Sequence, residues 1–131
     1  MSLYAKIESA YVYIDGGILF LINIPMFILL SISQVNFVVM GICVITTAFL
    51  SSIAYYVLFL VFNKRTIGMK VFGLKVVSIG GSIPTKKEML KRALYTLQIG
   101  IVFIKVHFGI LDFEKWEREV LGTVTVEDVK E

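Results

Sequence analysis

The residue of this sequence with the clearest chemical potential is Asp15, which lies inside a long apolar stretch. An ionisable side chain within a membrane span costs free energy unless it is paired, and such residues often belong to an ion or proton pathway. Tyr55 and Tyr56 lie in a second apolar stretch, at a predicted depth similar to that of Asp15, and their hydroxyls can donate hydrogen bonds. Two hypotheses therefore stand side by side: a cation or proton site at Asp15, and a structural hydrogen bond between two helices.

A second group of candidate residues is basic and lies in the segment 63–92, which contains a single acidic residue, Glu88. Basic residues in a short loop beside a span favour the cytoplasmic side and attract anionic lipid headgroups. The predicted lipid-contact residues are Lys64, Arg65, Lys70, Lys86, Lys87, Lys91 and Arg92. We expect no nucleic-acid partner.

The remaining motifs do not predict catalysis, a cofactor or a metal site. The glycine-containing strings 68–70 and 73–75 lack the Ser or Thr that follows Gly-Lys in a phosphate-binding loop. His107 and Cys43 are the only residues of their types and lie far apart, and no Ser or Cys nucleophile has a base within a recognisable motif. We therefore expect a protein that is not an enzyme and that binds no cofactor.

The elements that position these residues are two long apolar stretches, which predict an integral membrane protein. Hydrophobic residues make up 57% of the 131 positions, and charged residues only 18%. A bilayer core about 30 Å thick needs roughly 20 apolar residues of helix, which the stretches 10–30 and 37–62 supply. We expect them to form a helical hairpin, with the small residues Gly41, Ala48 and Ser52 of the second span packed against the first.

The third apolar stretch, 93–111, allows two interpretations. It has about the minimum length of a span and carries Lys105 and His107 in its second half, and we expect it to cross the membrane. Alternatively it re-enters or lies on the surface. The β-prone segments 74–78 and 123–126 require this alternative if they pair in one sheet, because paired strands lie on the same side of the membrane. We also predict an amphipathic helix that begins near Pro84.

Several positions along the chain together match the sequence motif of one protein family. The matching positions are Asp15, Thr66, Gly68, Gly73, Leu74, Val76, Val77, Gly80, Gly81, Pro84, Arg92 and the string 122–126. In this pattern the chain resembles the RDD family of small multi-pass membrane proteins. It departs at two positions, where Glu8 stands in place of the family's usual arginine and Arg118 in place of an aspartate, so the resemblance is to a divergent member. Membership implies either transport of ions or solutes, or assembly with other membrane proteins.

The sequence thus predicts an all-α integral membrane protein with spans at about 10–30, 37–62 and 93–111, in one domain over 1–131. A cytoplasmic basic segment, 63–92, holds a short β-like segment and the amphipathic helix, and 112–131 forms an acidic tail. The predicted function is a non-catalytic accessory or scaffold subunit of the cell membrane, which packs with other membrane proteins or with itself, because three spans hardly enclose a polar path. The alternatives are a homo-oligomeric ion or solute transporter that uses Asp15, and a membrane-surface module that recognises anionic lipid.

Overall fold

Two long helices dominate the structure, a computed structural model that describes residues 2–128. Helix α1 spans Leu3–Ile32 and helix α2 spans Phe37–Phe62, and both are long and apolar enough to cross a membrane. Both predicted spans are therefore helical in the structure, although α1 begins well before residue 10. Asn36 caps the start of α2, because its side-chain oxygen accepts a hydrogen bond from the Val38 N–H at 2.8 Å.

The two long helices are joined side by side by polar and small residues. The Asn23 Nδ2 donates to Ser51 Oγ at 3.0 Å, and Ala48 and Ser52 line the groove between the helices. Gly41 does not belong to this seam, since it is exposed and a Cβ built there meets no atom within 4 Å. The predicted packing of Gly41 against the first span is therefore wrong, because the contact between the helices does not extend to that face of α2.

Shorter elements follow α2. Helix α3 spans Ile67–Phe72, strand β1 spans Leu74–Ser78 and helix α4 spans Lys86–Tyr95. A single 3₁₀ turn, Thr96–Gln98, leads into helix α5, Ile99–His107. Helix α6, Phe113–Trp116, continues into a wide π-helical turn, Glu117–Leu121, and strand β2 spans Thr123–Glu127.

Caps fix where these short helices begin. Thr66 accepts from the Met69 N–H at 3.2 Å to start α3, and Gly73 ends that helix in the left-handed region with φ 66°. The Thr85 side chain and the Glu88 carboxylate form a capping box at the start of α4. Hydrogen bonds from the Thr85 N–H and then from the Ser78 hydroxyl lower the pKa of Glu88, and the second bond ties α4 to the end of β1.

Strands β1 and β2 form an antiparallel sheet in which Leu74 faces Glu127 and Ser78 faces Thr123. The predicted pairing of 74–78 with 123–126 is confirmed. Because paired strands lie on the same side of the membrane, the chain between them begins and ends on that side. The expected third crossing over 93–111 is therefore not present. The longest helix within this stretch, Ile99–His107, is only about 14 Å long. The structure is mostly helical, as predicted, and the β-like segment of the prediction is one strand of this two-stranded sheet.

The core of the protein lies at one end of the hairpin. There the first turns of α1 and the last turns of α2 pack against α3 to α6 and the sheet. The buried side chains include Ile7, Tyr11, Tyr55, Tyr56, Leu60, Met69, Leu74, Met89, Ala93, Val102, Phe103, Trp116 and Leu121. By contrast, the part of α1 from Gly16 to Ile32 has no buried residue.

The segment predicted as an acidic tail is largely folded into this core. Trp116, Leu121 and Thr123 are buried, because α6, the π-helical turn and β2 present apolar and hydroxyl side chains to the helices beneath. The tail prediction is therefore wrong for residues 112–127. Residues 129–131 of the predicted tail lie outside the described part of the chain.

We predict that Lys87→Cys and Lys115→Cys, each in a Cys43→Ser background, react with an impermeant maleimide from the same side of the membrane. Both residues are exposed, and the β1–β2 pairing requires α4 and α6 to share a side. Gln34→Cys in the loop between α1 and α2 should react from the opposite side, which provides the control. Labelling of Lys87→Cys and Lys115→Cys from opposite sides would contradict the fold.

Candidate functional site

Asp15 lies at the point where the two long helices meet α3. Its Oδ1 accepts a hydrogen bond from the Tyr55 hydroxyl at 2.6 Å and another from the Gly68 N–H at 2.9 Å. The Tyr55 hydroxyl in turn accepts from the Ile67 N–H at 3.3 Å. Asp15 is 0% exposed, so these three elements share one buried carboxyl group.

The local backbone turns Asp15 inward. Residues Ala10–Asp15 form a π-helical turn, in which the Gly16 N–H donates to the Tyr11 carbonyl five residues back. Such wide turns are rare and often occur at functional sites. The hairpin loop joins the two long helices at Ile32 and Phe37. Asp15 and Tyr55 both lie about 26 Å from these loop ends along the helix axis. In a hydrocarbon core about 30 Å thick they are therefore close to the boundary opposite the loop.

Gly68 is required for the close approach of α3 to α1. A Cβ at this position would lie 2.3 Å from the Ala10 carbonyl oxygen and 2.9 Å from Asp15 Oδ1. Only glycine lets the backbone of α3 come within hydrogen-bonding distance of the carboxylate. Close packing of α3 against α1 thus explains why the matched motif has a glycine at position 68.

Arg92 forms a second buried polar cluster, on the other side of Tyr11. Its guanidinium Nη2 donates to Glu117 Oε2 at 2.7 Å and to the Tyr11 hydroxyl at 3.1 Å. Nη1 donates to Thr123 Oγ1 at 3.1 Å, and Nη2 also contacts Thr125 Oγ1. The Arg92 side chain is 0% exposed and that of Glu117 is 3% exposed, so the pair is shielded from water.

Glu117 is held in place by β2. Its Oε1 accepts from the Thr125 N–H at 2.9 Å, and its Oε2 accepts from the Thr125 hydroxyl at 2.7 Å. Burial acts to lower the pKa of Arg92, but Tyr11 and Glu117 act more strongly in the opposite direction, so the pKa of the guanidinium lies above its ordinary value. The cluster therefore contains a permanent positive charge with its counter-ion beside it.

The two clusters are linked by aromatic rings. The Tyr55 and Tyr56 rings have centroids 5.2 Å apart, and those of Tyr56 and Tyr11 are 6.2 Å apart. Tyr11 then reaches Arg92 through its hydroxyl. The carboxyl group at the end of the spans and the ion pair beneath the sheet thus belong to one continuous buried network.

The predicted site residues fall into different places. Tyr55 contacts Asp15 directly, whereas Tyr56 packs by its ring against Tyr11 and Tyr55. Five of the predicted lipid-contact residues are exposed: Lys64, Lys70, Lys86, Lys87 and Lys91. Arg65 is instead half-buried, because its guanidinium donates to the Leu74 carbonyl and pairs with Asp128 at 3.1 Å. The prediction that Arg92 contacts lipid headgroups is wrong, because its side chain is fully buried against Glu117.

Sequence reasoning missed Glu117 as a functional candidate, and it named Arg92 without its buried role. The signal for Arg92 was its position: Met89, Arg92, Ala93 and Thr96 recur at helical spacing on the buried face. Glu117 precedes Arg118, the position at which the matched pattern has an aspartate, and the π-helical turn Glu117–Leu121 directs Glu117 inward. Arg118 is exposed and pairs with Glu114.

Glu8, the other position that departs from the pattern, lies on the surface of α1. Its Oε1 is 2.8 Å from the Nε2 of His107, at the end of α5. The contact ties α5 to α1 at an exposed place. His107 therefore belongs to a surface pair and not to the Asp15 cluster.

Among residues 2–128, no group of three or more His, Cys, Asp or Glu side chains could hold a metal ion. The buried polar atoms bind one another, apart from Asp15 Oδ2, Arg92 Nε and the Tyr4 hydroxyl, which have no hydrogen-bond partner in the part of the chain described. The arrangement connects helices and carries no nucleophile with a base.

Comparison with known proteins gives one match. The model of the RDD family matches residues 10–115, a range that includes Asp15, Gly68 and Arg92 but ends before Glu117. No curated protein and no solved structure matches the chain.

We predict that Gly68→Ala lowers the free energy of unfolding by about 2 kcal/mol, because the new methyl group would overlap the Ala10 carbonyl. The measurement is unfolding in mixed SDS and mild-detergent micelles. Gly100→Ala is the matched control: its Cβ meets no atom within 4 Å, and alanine is the better helix former, so stability should stay the same or rise by about 0.5 kcal/mol. Equal effects of the two substitutions would contradict the close approach of α3 to α1.

We predict that Arg92→Met destabilises the protein by about 3–5 kcal/mol in the same assay, because it leaves Glu117 buried without its counter-ion. Arg92→Met combined with Glu117→Leu should cost less than the two single substitutions together, since no unpaired charge remains. Arg118→Met is the control: it breaks an exposed pair with Glu114 and should change stability by no more than about 0.5 kcal/mol. A small effect of Arg92→Met would show that the guanidinium reaches water.

Proposed function

The chain belongs to the RDD family of membrane proteins, and from this premise we propose that it is a non-catalytic accessory or scaffold subunit of the cell membrane. Its two long helices would pack against other membrane proteins or against further copies of the chain. The folded end would fix the position of these helices relative to the membrane surface.

The observation that carries this proposal is the division of the molecule into a packed end and an unpacked hairpin. From Gly16 to Ile32, α1 has no buried residue, and large apolar side chains such as Phe20, Phe27 and Ile45 are more than half exposed. Two helices enclose no polar path by themselves, so their outer faces must be covered by lipid or by other helices. A hairpin of this kind is suited to assembly within the bilayer.

The buried polar groups favour the same proposal. Both hydrogen bonds to Asp15 come from groups of the chain itself, and the charge of Arg92 is balanced by Glu117. These residues tie α1, α2 and α3 to the sheet and are not available to a substrate. We therefore propose that the protein is not an enzyme and that its polar core has an architectural role.

The exposed basic side chains support a proposed orientation of the protein in the membrane. Lys64, Lys70, Lys86, Lys87 and Lys91 surround the packed end, and a basic flank favours the cytoplasmic side of a membrane. We propose that residues 63–92 face the cytoplasm and contact anionic lipid headgroups. A nucleic-acid partner does not fit this position beside the bilayer.

The accessory proposal predicts a stoichiometric partner. Affinity purification of the tagged chain in mild detergent, followed by mass determination of the complex, should recover a second membrane protein at a fixed ratio. Recovery of the chain as a pure homo-oligomer would exclude a foreign partner and favour the transporter alternative, which the flux measurement below separates from a scaffold that packs with its own copies.

The transporter alternative has one observation in its favour. Asp15 Oδ2 is buried, and no described hydrogen bond satisfies it. An unsatisfied carboxylate oxygen inside a membrane protein is able to bind a proton or a cation.

Asp15→Asn and Asp15→Leu separate the two functions. Asn keeps an oxygen that accepts from Tyr55 and Gly68, so we expect the partner to be recovered normally and the protein to fold. Leu leaves both donors buried and unpaired and should cost on the order of 2 kcal/mol of stability. If Asp15 is a transport site, ion-dependent flux in reconstituted vesicles should vanish in the folded Asn variant. Flux that survives Asp15→Asn unchanged would exclude Asp15 as the transport site.

A further inference from the structure

Helix α5 has two apolar faces, and the protein covers only one of them. Ile99, Val102 and Phe103 are buried, whereas Ile101, Ile104 and Phe108 are 61%, 58% and 77% exposed. The exposed residues are spaced by three and four positions, so they form one stripe on the side of the helix opposite to the buried residues. A helix that is apolar all round is normally covered on all sides.

The buried face of α5 fixes its height relative to the membrane. The Phe103 ring lies 6.2 Å from that of Tyr11 and 6.1 Å from that of Tyr4, which places α5 beside the first turns of α1. Measured along the helix from Ile32, Tyr11 lies at about 32 Å and Tyr4 at about 42 Å. The hydrocarbon core is about 30 Å thick, and the interfacial layer adds only about 5–7 Å on each side. Phe103 is about equally distant from Tyr11 and Tyr4 and so lies at about 37 Å, which places α5 in the outer part of the interface.

We propose that the outer face of α5, formed by Ile101, Ile104 and Phe108, is inserted in the interfacial layer of the bilayer. The helix is then a third membrane contact that does not cross. The bilayer is the occupant that fits, because this apolar face lies at the height of the interface and beside the part of α1 where Val12 and Tyr13 are also exposed. Lys105 is exposed at the edge of the stripe, where its ammonium group can reach the headgroups while its stem stays apolar.

Insertion in the interface explains why the stretch 93–111 is apolar although it does not cross the membrane. An apolar helix of nine residues is too short to span and too hydrophobic for water, and an interfacial position satisfies both limits. It would also hold the packed end against the membrane by a contact separate from the two spans. The inference does not depend on whether the protein is a scaffold or a transporter.

Nitroxide scanning of α5 tests the proposal. Ile104→Cys and Phe108→Cys, each in a Cys43→Ser background, would be spin-labelled and reconstituted in phosphatidylethanolamine–phosphatidylglycerol vesicles. The accessibility of each label to oxygen and to a water-soluble nickel chelate is measured by power saturation. Ser82→Cys, in an exposed turn, is the aqueous control, and Val102→Cys, on the buried face of α5, is the protein-buried control.

Labels at 104 and 108 should be more accessible to oxygen than to the nickel chelate, whereas the label at 82 should show the reverse. If both labels on α5 behave like the label at 82, the face lies in water and the proposal is overturned. If both resemble the label at 102 and are shielded from both reagents, a protein surface covers the face and the proposal is equally overturned. Two positions are used so that the failure of one variant to fold does not remove the test.

Discussion

Most of the packed end is arranged around the Arg92 guanidinium, which is buried and therefore needs hydrogen-bond acceptors from the protein. A guanidinium is always charged and has five N–H donors, so a position without water requires acceptors from several directions. They come from three parts of the chain: Tyr11 in α1, Glu117 in the π-helical turn, and Thr123 and Thr125 in β2. Satisfying one side chain thus brings the first span, α4 and the end of the chain together.

The same network reaches the membrane-spanning hairpin through Tyr11. The rings of Tyr11, Tyr56 and Tyr55 lead from the ion pair to Asp15, where α3 approaches closely enough for a backbone N–H to bind the carboxylate. The spans are therefore joined to the packed end by buried polar contacts as well as by apolar packing. Separating the ion pair would leave a buried charge unpaired, which is strongly destabilising.

The family to which the chain belongs is recognisable in residues that hold this architecture together. Gly68 permits contact between α3 and α1, Gly73 ends α3, and Arg92 connects α4 to β2. Arg118, where the resemblance implies an aspartate, is exposed, and the carboxylate beside the buried guanidinium belongs to its neighbour Glu117.

The sequence by itself determined the two spans, the amphipathic helix and the two β-prone segments, because each follows from local composition and spacing. It also singled out Asp15, since a lone carboxylate in an apolar run is conspicuous. Whether 93–111 crosses was decided only by tertiary structure, because strand pairing depends on residues about fifty positions apart. The partner of Arg92 was decided in the same way: a π-helical turn selects Glu117 over its neighbours, and sequence spacing does not reveal such a turn.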